Sequence, residues 1–108
     1  MKLTKTQADL MDSLNAEIRN ARECETFEDY FSKYIAHRVN TAFNTPEKYK
    51  AGNMEGWNWW KTVWEQKKNG VVCTITNSRT IKALENLGLI EIVKDGGASP
   101  DIVRVIEA

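Results

Sequence analysis

Two β-rich runs flank a glycine-containing segment near the end of the chain, and this order limits the possible folds most strongly. Residues 89–94 (Leu-Ile-Glu-Ile-Val-Lys) and 102–106 (Ile-Val-Arg-Val-Ile) are rich in β-branched side chains, and residues 95–101 between them hold two glycines and a proline. β-branched residues favour extended backbone, whereas glycine and proline favour turns. The pattern therefore predicts a β-hairpin, and with it a core that includes one face of a sheet.

A short amphipathic helix is predicted directly before the hairpin, over residues 78–87. Ile81, Leu84 and Leu87 recur at helical spacing and are expected to face the core. Gly88 follows at the position where a helix-ending glycine is favoured. Thr76, Asn77 and Ser78 offer N-caps, and the largely β-branched residues 71–75 predict one further short strand ahead of this helix.

Two helices are predicted in the first part of the chain. An apolar stripe from Leu3 to Ala21 predicts the first, with Thr4 or Thr6 as its N-cap. The second is rich in aromatic side chains and is predicted over residues 26–44. It should end there because the proline at position 46 disfavours helical geometry in the residue before it.

The middle of the chain predicts a short turn, a loop and a third helix. Thr45 and Pro46 are suited to cap and start a short helical turn. Residues 49–56 contain two glycines and little apolar content, which predicts a loop. The third helix is predicted over residues 57–68, with residues 69–70 (Asn-Gly) as its left-handed stop.

Four tryptophans fall within eight residues of this third helix. Trp57, Trp60 and Trp64 recur at helical spacing, and their large rings are expected to fill the core. The remaining ring, Trp59, is expected to be exposed and available for contact.

The composition indicates one neutral globular domain. The 108 residues suffice for one hydrophobic core, and fifteen basic and fifteen acidic side chains cancel. Proteins that contact many phosphates usually carry more basic than acidic side chains. This balance therefore argues against tight non-specific binding of nucleic acid but leaves room for a local basic face. Cys24 and Cys73, far apart in the sequence, predict reduced thiols in a cytoplasmic protein. No apolar run reaches the roughly 20 residues that span a bilayer, so we expect no membrane contact.

The run of residues 77–90, Asn-Ser-Arg-Thr-Ile-Lys-Ala-Leu-Glu-Asn-Leu-Gly-Leu-Ile, followed by a hairpin, resembles the recognition helix and wing of winged helix-turn-helix proteins. The shared pattern is a small polar cap, Arg-Thr, two leucines three apart, and Gly-Leu-Ile leading into the wing. It covers residues 71–108, and the N-terminal helix would be the family's first. In size and in its helix–hairpin ending, the chain also resembles small phage-encoded orphan proteins.

The winged-helix resemblance implies a single α+β domain over residues 1–108. That domain would hold three to four helices, a C-terminal β-hairpin, a short extra strand and a helical, Trp-rich insertion at about 24–68. The helix predicted over residues 57–68 would take the place of the family's second helix, although a winged helix usually has one short helix where this insertion lies.

The same resemblance implies duplex DNA as the partner of a regulatory protein. The candidate contacts are the cap, the outward face of the helix, the wing and the lysines before the strand: Asn77, Ser78, Arg79, Lys82, Asn86, Lys94, Lys67 and Lys68. Arginine suits guanine and asparagine suits adenine in the major groove, whereas lysines suit phosphates. The alternative is that the cap only stabilises the helix and the charged residues are solvated surface.

A protein partner, such as a host protein bound by a small inhibitor or adaptor, is the second hypothesis. It predicts an exposed aromatic patch drawn from Tyr30, Tyr34, Trp57 and Trp59. The same patch would also suit a homodimer.

Enzyme chemistry finds little support in the sequence. His37 is the only histidine, which excludes a histidine-rich metal site within one chain and leaves one centre for a base–nucleophile pair. The glycines at positions 96 and 97 lie between predicted strands rather than before a helix, unlike a phosphate-binding loop. We therefore expect no catalytic residues, no metal and no cofactor.

Overall fold

The computed structural model describes residues 2–74, 78–94 and 101–106, apart from the side chain of Ser78. Its elements are α1 (Lys5–Glu23), α2 (Phe27–Tyr30), α3 (Pro46–Gly52), α4 (Met54–Lys68), β1 (Val71–Thr74), α5 (Ser78–Asn86), β2 (Ile90–Lys94) and β3 (Asp101–Val105). A π-helical turn (Phe31–Ile35) and two 3-10 turns (Ala36–Arg38 and Thr41–Phe43) lie between α2 and α3. The protein is α+β, as predicted, but the described residues form five α-helices rather than three to four.

Threonine hydroxyls cap the N-termini of the first three α-helices. The Gln7 amide donates to Thr4 Oγ1 at 3.2 Å, and the Thr4 amide donates to Gln7 Oε1 at 3.0 Å, so α1 starts in a capping box. Thr26 and Thr45 cap α2 and α3 through hydroxyls that each accept the amide three residues later. These local hydrogen bonds confirm the predicted starts of the N-terminal helix and of the turn at Thr45.

The aromatic helix predicted over residues 26–44 does not run unbroken. One α-helical turn passes into the π-helical and 3-10 turns, and the backbone leaves helical geometry at Val39, with φ −108° and ψ 167°. The Asn40 side chain then accepts the amide of Ala42 at 2.9 Å and starts a separate turn. Asn40 thus caps a new turn, since an asparagine side chain readily accepts a backbone amide close by in sequence.

The prediction of a loop over residues 49–56 is wrong, because α3 ends and α4 begins there. Asn53 caps α4 by accepting the Gly56 amide at 2.9 Å. A Cβ at Gly52 would lie 2.5 Å from a ring carbon of Phe43, so only glycine allows that ring to pack so closely on the end of α3. Gly52 therefore allows close packing at the end of a helix rather than forming a loop.

The three strands form an antiparallel sheet in the order β1-β3-β2. The predicted hairpin is confirmed as β2 paired with β3, with Ile90 opposite Val105 and a register shift after Ile92. The predicted extra strand is β1, in which Val72 lies opposite Val103. The N-caps predicted at positions 76–77 fall outside the described residues.

The end of α5 is fixed by its glycine, as predicted. Gly88 has φ +77°, its amide donates to the Glu85 carbonyl at 2.9 Å, and the Leu89 amide donates to the Leu84 carbonyl at 3.1 Å. This pair of bonds is the Schellman arrangement. Leu87, expected to face inward, is instead 37% exposed and follows directly after the last residue of α5.

The buried side chains form two clusters that share α1. The aliphatic core joins α1 to α5 and the sheet and consists of Leu14, Ile18, Val72, Ile81, Leu84, Ile90, Val103 and Val105. The aromatic core joins α1 to the following helices and consists of Ala21, Cys24, Phe27, Tyr30, Phe31, Ile35, Tyr49, Trp57 and Trp64. The molecule is accordingly elongated, at 47 × 30 × 21 Å.

Candidate nucleic-acid interface

The outward face of α5 is polar and basic. Ile81 and Leu84 are buried in the aliphatic core, whereas Arg79, Lys82 and Asn86 are exposed. With 3.6 residues per turn, these three side chains project within about 60° of one another and roughly opposite the two buried ones. We call this set, Arg79, Lys82 and Asn86, the outer face of α5.

The one acidic residue of α5 points along the side of the helix toward the sheet. Glu85 accepts the Ile92 amide of β2 through Oε2 at 3.2 Å. That bond turns the carboxylate away from the outer face and ties the helix to the hairpin. The positive charges of Arg79 and Lys82 therefore have no carboxylate between them on α5.

The register of the sheet brings the end of β2 to the same end of the sheet as the start of α5. Lys94 is exposed and lies opposite Ile102, while Thr74, the last residue of β1, lies opposite Asp101. Since α5 begins four residues after β1 ends, its first turn is at this end of the sheet. The half-buried Asp101 also lies at this end and reduces the local positive charge.

A second acidic side chain of the hairpin is paired. Glu91 and Arg104 lie opposite each other on β2 and β3, with 3.6 Å between Glu91 Oε2 and Arg104 Nη1. Both side chains are about half exposed, so the pair contributes little to stability. The pair does, however, neutralise the Glu91 carboxylate on its face of the sheet.

The two lysines at the end of α4 have separate surroundings. Lys67 is buried, donates from Nζ to the Tyr30 hydroxyl at 3.1 Å and lies 3.3 Å from a carboxylate oxygen of Glu17. Lys68 is exposed, with its Nζ 4.2 Å from the centre of the Trp64 ring. The prediction that Lys67 lies on an exposed phosphate-binding surface is therefore wrong, because its ammonium is enclosed by side chains of other helices.

Two candidate DNA contacts lie at the start of the helix that resembles a recognition helix. Asn77 lies outside the described residues, and Ser78 is placed only as the first residue of α5. Among the candidates that are described with their side chains, the structure brings Arg79, Lys82 and Asn86 together on one face and places Lys94 at the end of the hairpin.

The predicted aromatic patch is mostly interior. Tyr30 and Trp57 are each only 4% exposed and belong to the aromatic core, so the prediction that they are exposed is wrong. Tyr34 is half-buried. Trp59 is 57% exposed, and its ring meets that of Trp60 edge-on at 4.6 Å, as expected for the tryptophan that turns away from the core.

Sequence reasoning missed the contacts among α1, α2 and α4. Glu17, Tyr30 and Lys67 meet in space although they come from three distant segments. Arg22 donates from Nε to the Lys68 carbonyl at 3.0 Å. The sequence carries no signal for these contacts because none of them follows a local spacing.

The thiols differ in their surroundings. Cys24 is buried in the aromatic core, and burial, together with the negative charge of Asp29, raises the pKa of its thiol. Cys73 is exposed on β1. Within the described parts of the chain, no three His, Cys, Asp or Glu side chains gather as they would around a metal ion.

Comparison with known proteins gives no relative. The chain matches no protein-family model, no curated protein and no solved structure. In the part of the chain that the structure describes, no helix is both long enough and apolar enough to cross a membrane.

Proposed function

We propose that this protein binds duplex DNA as a winged-helix-like regulator, without enzymatic activity, and that α5 is its reading helix. The observation that supports this is the outer face of α5, which presents Arg79, Lys82 and Asn86 while Glu85 is bound to the backbone of β2. An exposed helix with this face has the dimensions to enter a major groove.

Each side chain of the outer face has a suitable partner in DNA. The guanidinium of Arg79 matches the two acceptors of guanine, and the amide of Asn86 matches the donor and acceptor of adenine. Lys82, and Lys94 at the end of the hairpin, suit phosphates. Because the whole chain is neutral, we expect few phosphate contacts and weak binding to non-target sequences.

The proposal rests on α5 and the hairpin rather than on a helix-turn-helix pair. In such a pair, a turn of about three or four residues joins two helices. Here β1 and residues 75–77 separate α4 from α5. The Trp-rich helix α4 packs against α1 and β1, and α1 in turn packs against α5.

Chemical-shift mapping with ¹⁵N-labelled protein and a pool of randomised duplexes tests this proposal at low salt. We expect the largest changes at the amides of Arg79, Lys82, Asn86 and Lys94. No change on addition of excess DNA, or changes centred on Trp59, would contradict the proposal.

Two alanine variants separate base reading from phosphate contact. Arg79→Ala should cost about 1–3 kcal/mol of binding to a selected duplex and flatten the preference among sequences. Lys94→Ala should weaken all duplexes to a similar extent. Equal effects of the two variants on sequence preference would argue against base reading by Arg79.

A protein partner is the second candidate function, and the exposure of Trp59 supports it. Tryptophan is enriched among the residues that dominate binding at protein interfaces, and 57% of Trp59 is exposed. The Trp59→Ala variant should leave DNA binding unchanged and should lose the partner, or the homodimer detected by light scattering. If Trp59→Ala retains every association of the original chain, this second function is excluded.

A further inference from the structure

A polar cleft lies beside the aromatic core, where α1, the π-helical turn and α4 meet. Its volume is about 90 Å³, and its lining residues are Glu17, Asn20, Tyr30, Tyr34, Ile35, Arg38, Trp60 and Lys67. Since roughly 10–15 Å³ is enough for one water, the cleft has room for a group of several heavy atoms. The cleft adjoins the aromatic core, whereas α5 packs in the aliphatic core.

The most enclosed charge in the cleft is the ammonium of Lys67. The side chain is only 11% exposed, and its two polar partners are the Tyr30 hydroxyl at 3.1 Å and the Glu17 carboxylate at 3.3 Å. An ammonium carries three donors and no acceptor. Among the described residues these two partners leave one N–H of Lys67 for a further acceptor in the cleft.

The π-helical turn forms one wall of the cleft. The Ala36 amide donates to the Phe31 carbonyl, five residues back, which widens this turn relative to an α-helix. Tyr34 and Ile35 on this turn line the cleft, and Arg38 follows from the adjoining 3-10 turn. Single π-helical turns recur at functional sites in proteins.

The charges of the cleft do not balance. Lys67 and Arg38 contribute two positive charges and Glu17 one negative charge, which leaves one positive charge. Arg38 is exposed, and among the described residues it forms no ion pair. The apolar surface of Trp60 and Ile35 borders these charges and strengthens their field.

We propose that this cleft binds a small molecule through a single oxyanion group, a carboxylate or a phosphate, held between Arg38 and Lys67. One oxygen would accept the remaining N–H of Lys67, and the other would accept from the Arg38 guanidinium at the rim. Tyr34 and Asn20 supply further donors in the lining. This site is separate from the proposed DNA interface and does not depend on it.

Titration of the ¹⁵N-labelled full chain with sodium phosphate, and separately with sodium acetate, tests the proposal. Sodium chloride at matched ionic strength is the reference. We expect saturable shifts at the Arg38 Nε–H signal and at the amides of Tyr34 and Ile35. A response to phosphate alone or to acetate alone supports the site and identifies its anion.

The Arg38→Gln variant gives the decisive comparison, because Arg38 is exposed and its replacement leaves the core intact. We expect its dissociation constant to rise about tenfold, the loss typical of one charge-assisted hydrogen bond. Arg19→Gln, an exposed arginine of α1 outside the cleft, should bind as the original chain does. Shifts that chloride reproduces, or equal binding by Arg38→Gln and the original chain, would overturn the proposal.

Discussion

Cys24 and Cys73 are the same residue type in opposite surroundings, and their reactivity should differ accordingly. Burial and the nearby charge of Asp29 raise the pKa of the Cys24 thiol, while Cys73 is exposed on β1. Because the thiolate is the reactive form, we expect a disulfide reagent at about pH 8 to label Cys73 rapidly and Cys24 only slowly. Absorbance of the released thiolate measures both rates.

The Cys73→Ser variant is the matched control for this prediction. It should remove the fast phase and leave the slow one, and denaturant should make both thiols of the original chain react fast. Rapid labelling of the native Cys73→Ser variant would show that Cys24 is accessible and that its part of the aromatic core opens readily.

Gly88 and Gly56 differ in how far their structural roles can be predicted from the sequence. Gly88 was predictable because a helix-ending glycine needs only its neighbours, and its positive φ follows. Gly56 falls in the segment predicted as a loop, yet a Cβ there would lie 2.5 Å from the side-chain nitrogen of Asn53 and 2.6 Å from the Tyr49 hydroxyl. The first contact is to the cap of its own helix, whereas the second is to a side chain of α3, which no local pattern encodes.

The conformation of Gly88 gives a prediction at the scale of the element it ends. A Cβ at this position would meet no atom within 4 Å, so the cost of Gly88→Ala is the left-handed backbone alone. We expect a loss of about 1 kcal/mol in the free energy of unfolding, measured by urea denaturation. Gly88→Asn should cost less, since asparagine tolerates this conformation better. An unchanged midpoint for Gly88→Ala would contradict the Schellman arrangement at the end of α5.

Elements with local signals were predicted well, and those shaped by distant contacts were not. The hairpin, β1 and α5 follow from β-branched runs and a glycine stop, and the structure contains them. The aromatic spacing of the segment after Thr26 predicts one helix. Its division into α-helical, π-helical and 3-10 turns accompanies the packing of Phe27, Phe31 and Tyr49 against Trp57, which no spacing reveals.

The candidate interface was likewise predictable only in part. The stripe of Ile81 and Leu84 was sufficient to place Arg79, Lys82 and Asn86 outward. The turn of the Glu85 carboxylate toward Ile92 and the burial of Lys67 required the tertiary structure. Both findings change the charge of the surface that a nucleic acid would meet.

At the scale of the whole molecule, α1 couples the two cores. It contributes Leu14 and Ile18 to the aliphatic core and Ala21 to the aromatic core, and the Trp64 indole donates to the Ala21 carbonyl at 3.1 Å. All four tryptophans lie on α4, on the aromatic side. Their fluorescence should therefore report damage to the aliphatic core only if the two cores unfold together.

Leu14→Ala tests this coupling. Leu14 is 1% exposed, and the cavity left by the substitution should cost about 2–5 kcal/mol. We expect the fluorescence midpoint and the circular-dichroism midpoint to fall together, as in a single cooperative transition. Ser13→Ala, at the exposed neighbouring position, should shift neither. A fluorescence midpoint that stays in place while the circular-dichroism midpoint falls would show two independent cores.

The salt dependence of duplex binding tests most directly whether α5 meets DNA. The logarithm of the association constant, from fluorescence anisotropy, should fall linearly with the logarithm of salt concentration, by about 0.9 for each phosphate contact. Lys82→Gln should reduce that slope by about one contact, whereas Lys48→Gln, an exposed lysine of α3, should leave it unchanged. Absence of binding at low salt, or equal slopes for Lys82→Gln and the original chain, would contradict the assignment of α5 as the reading helix.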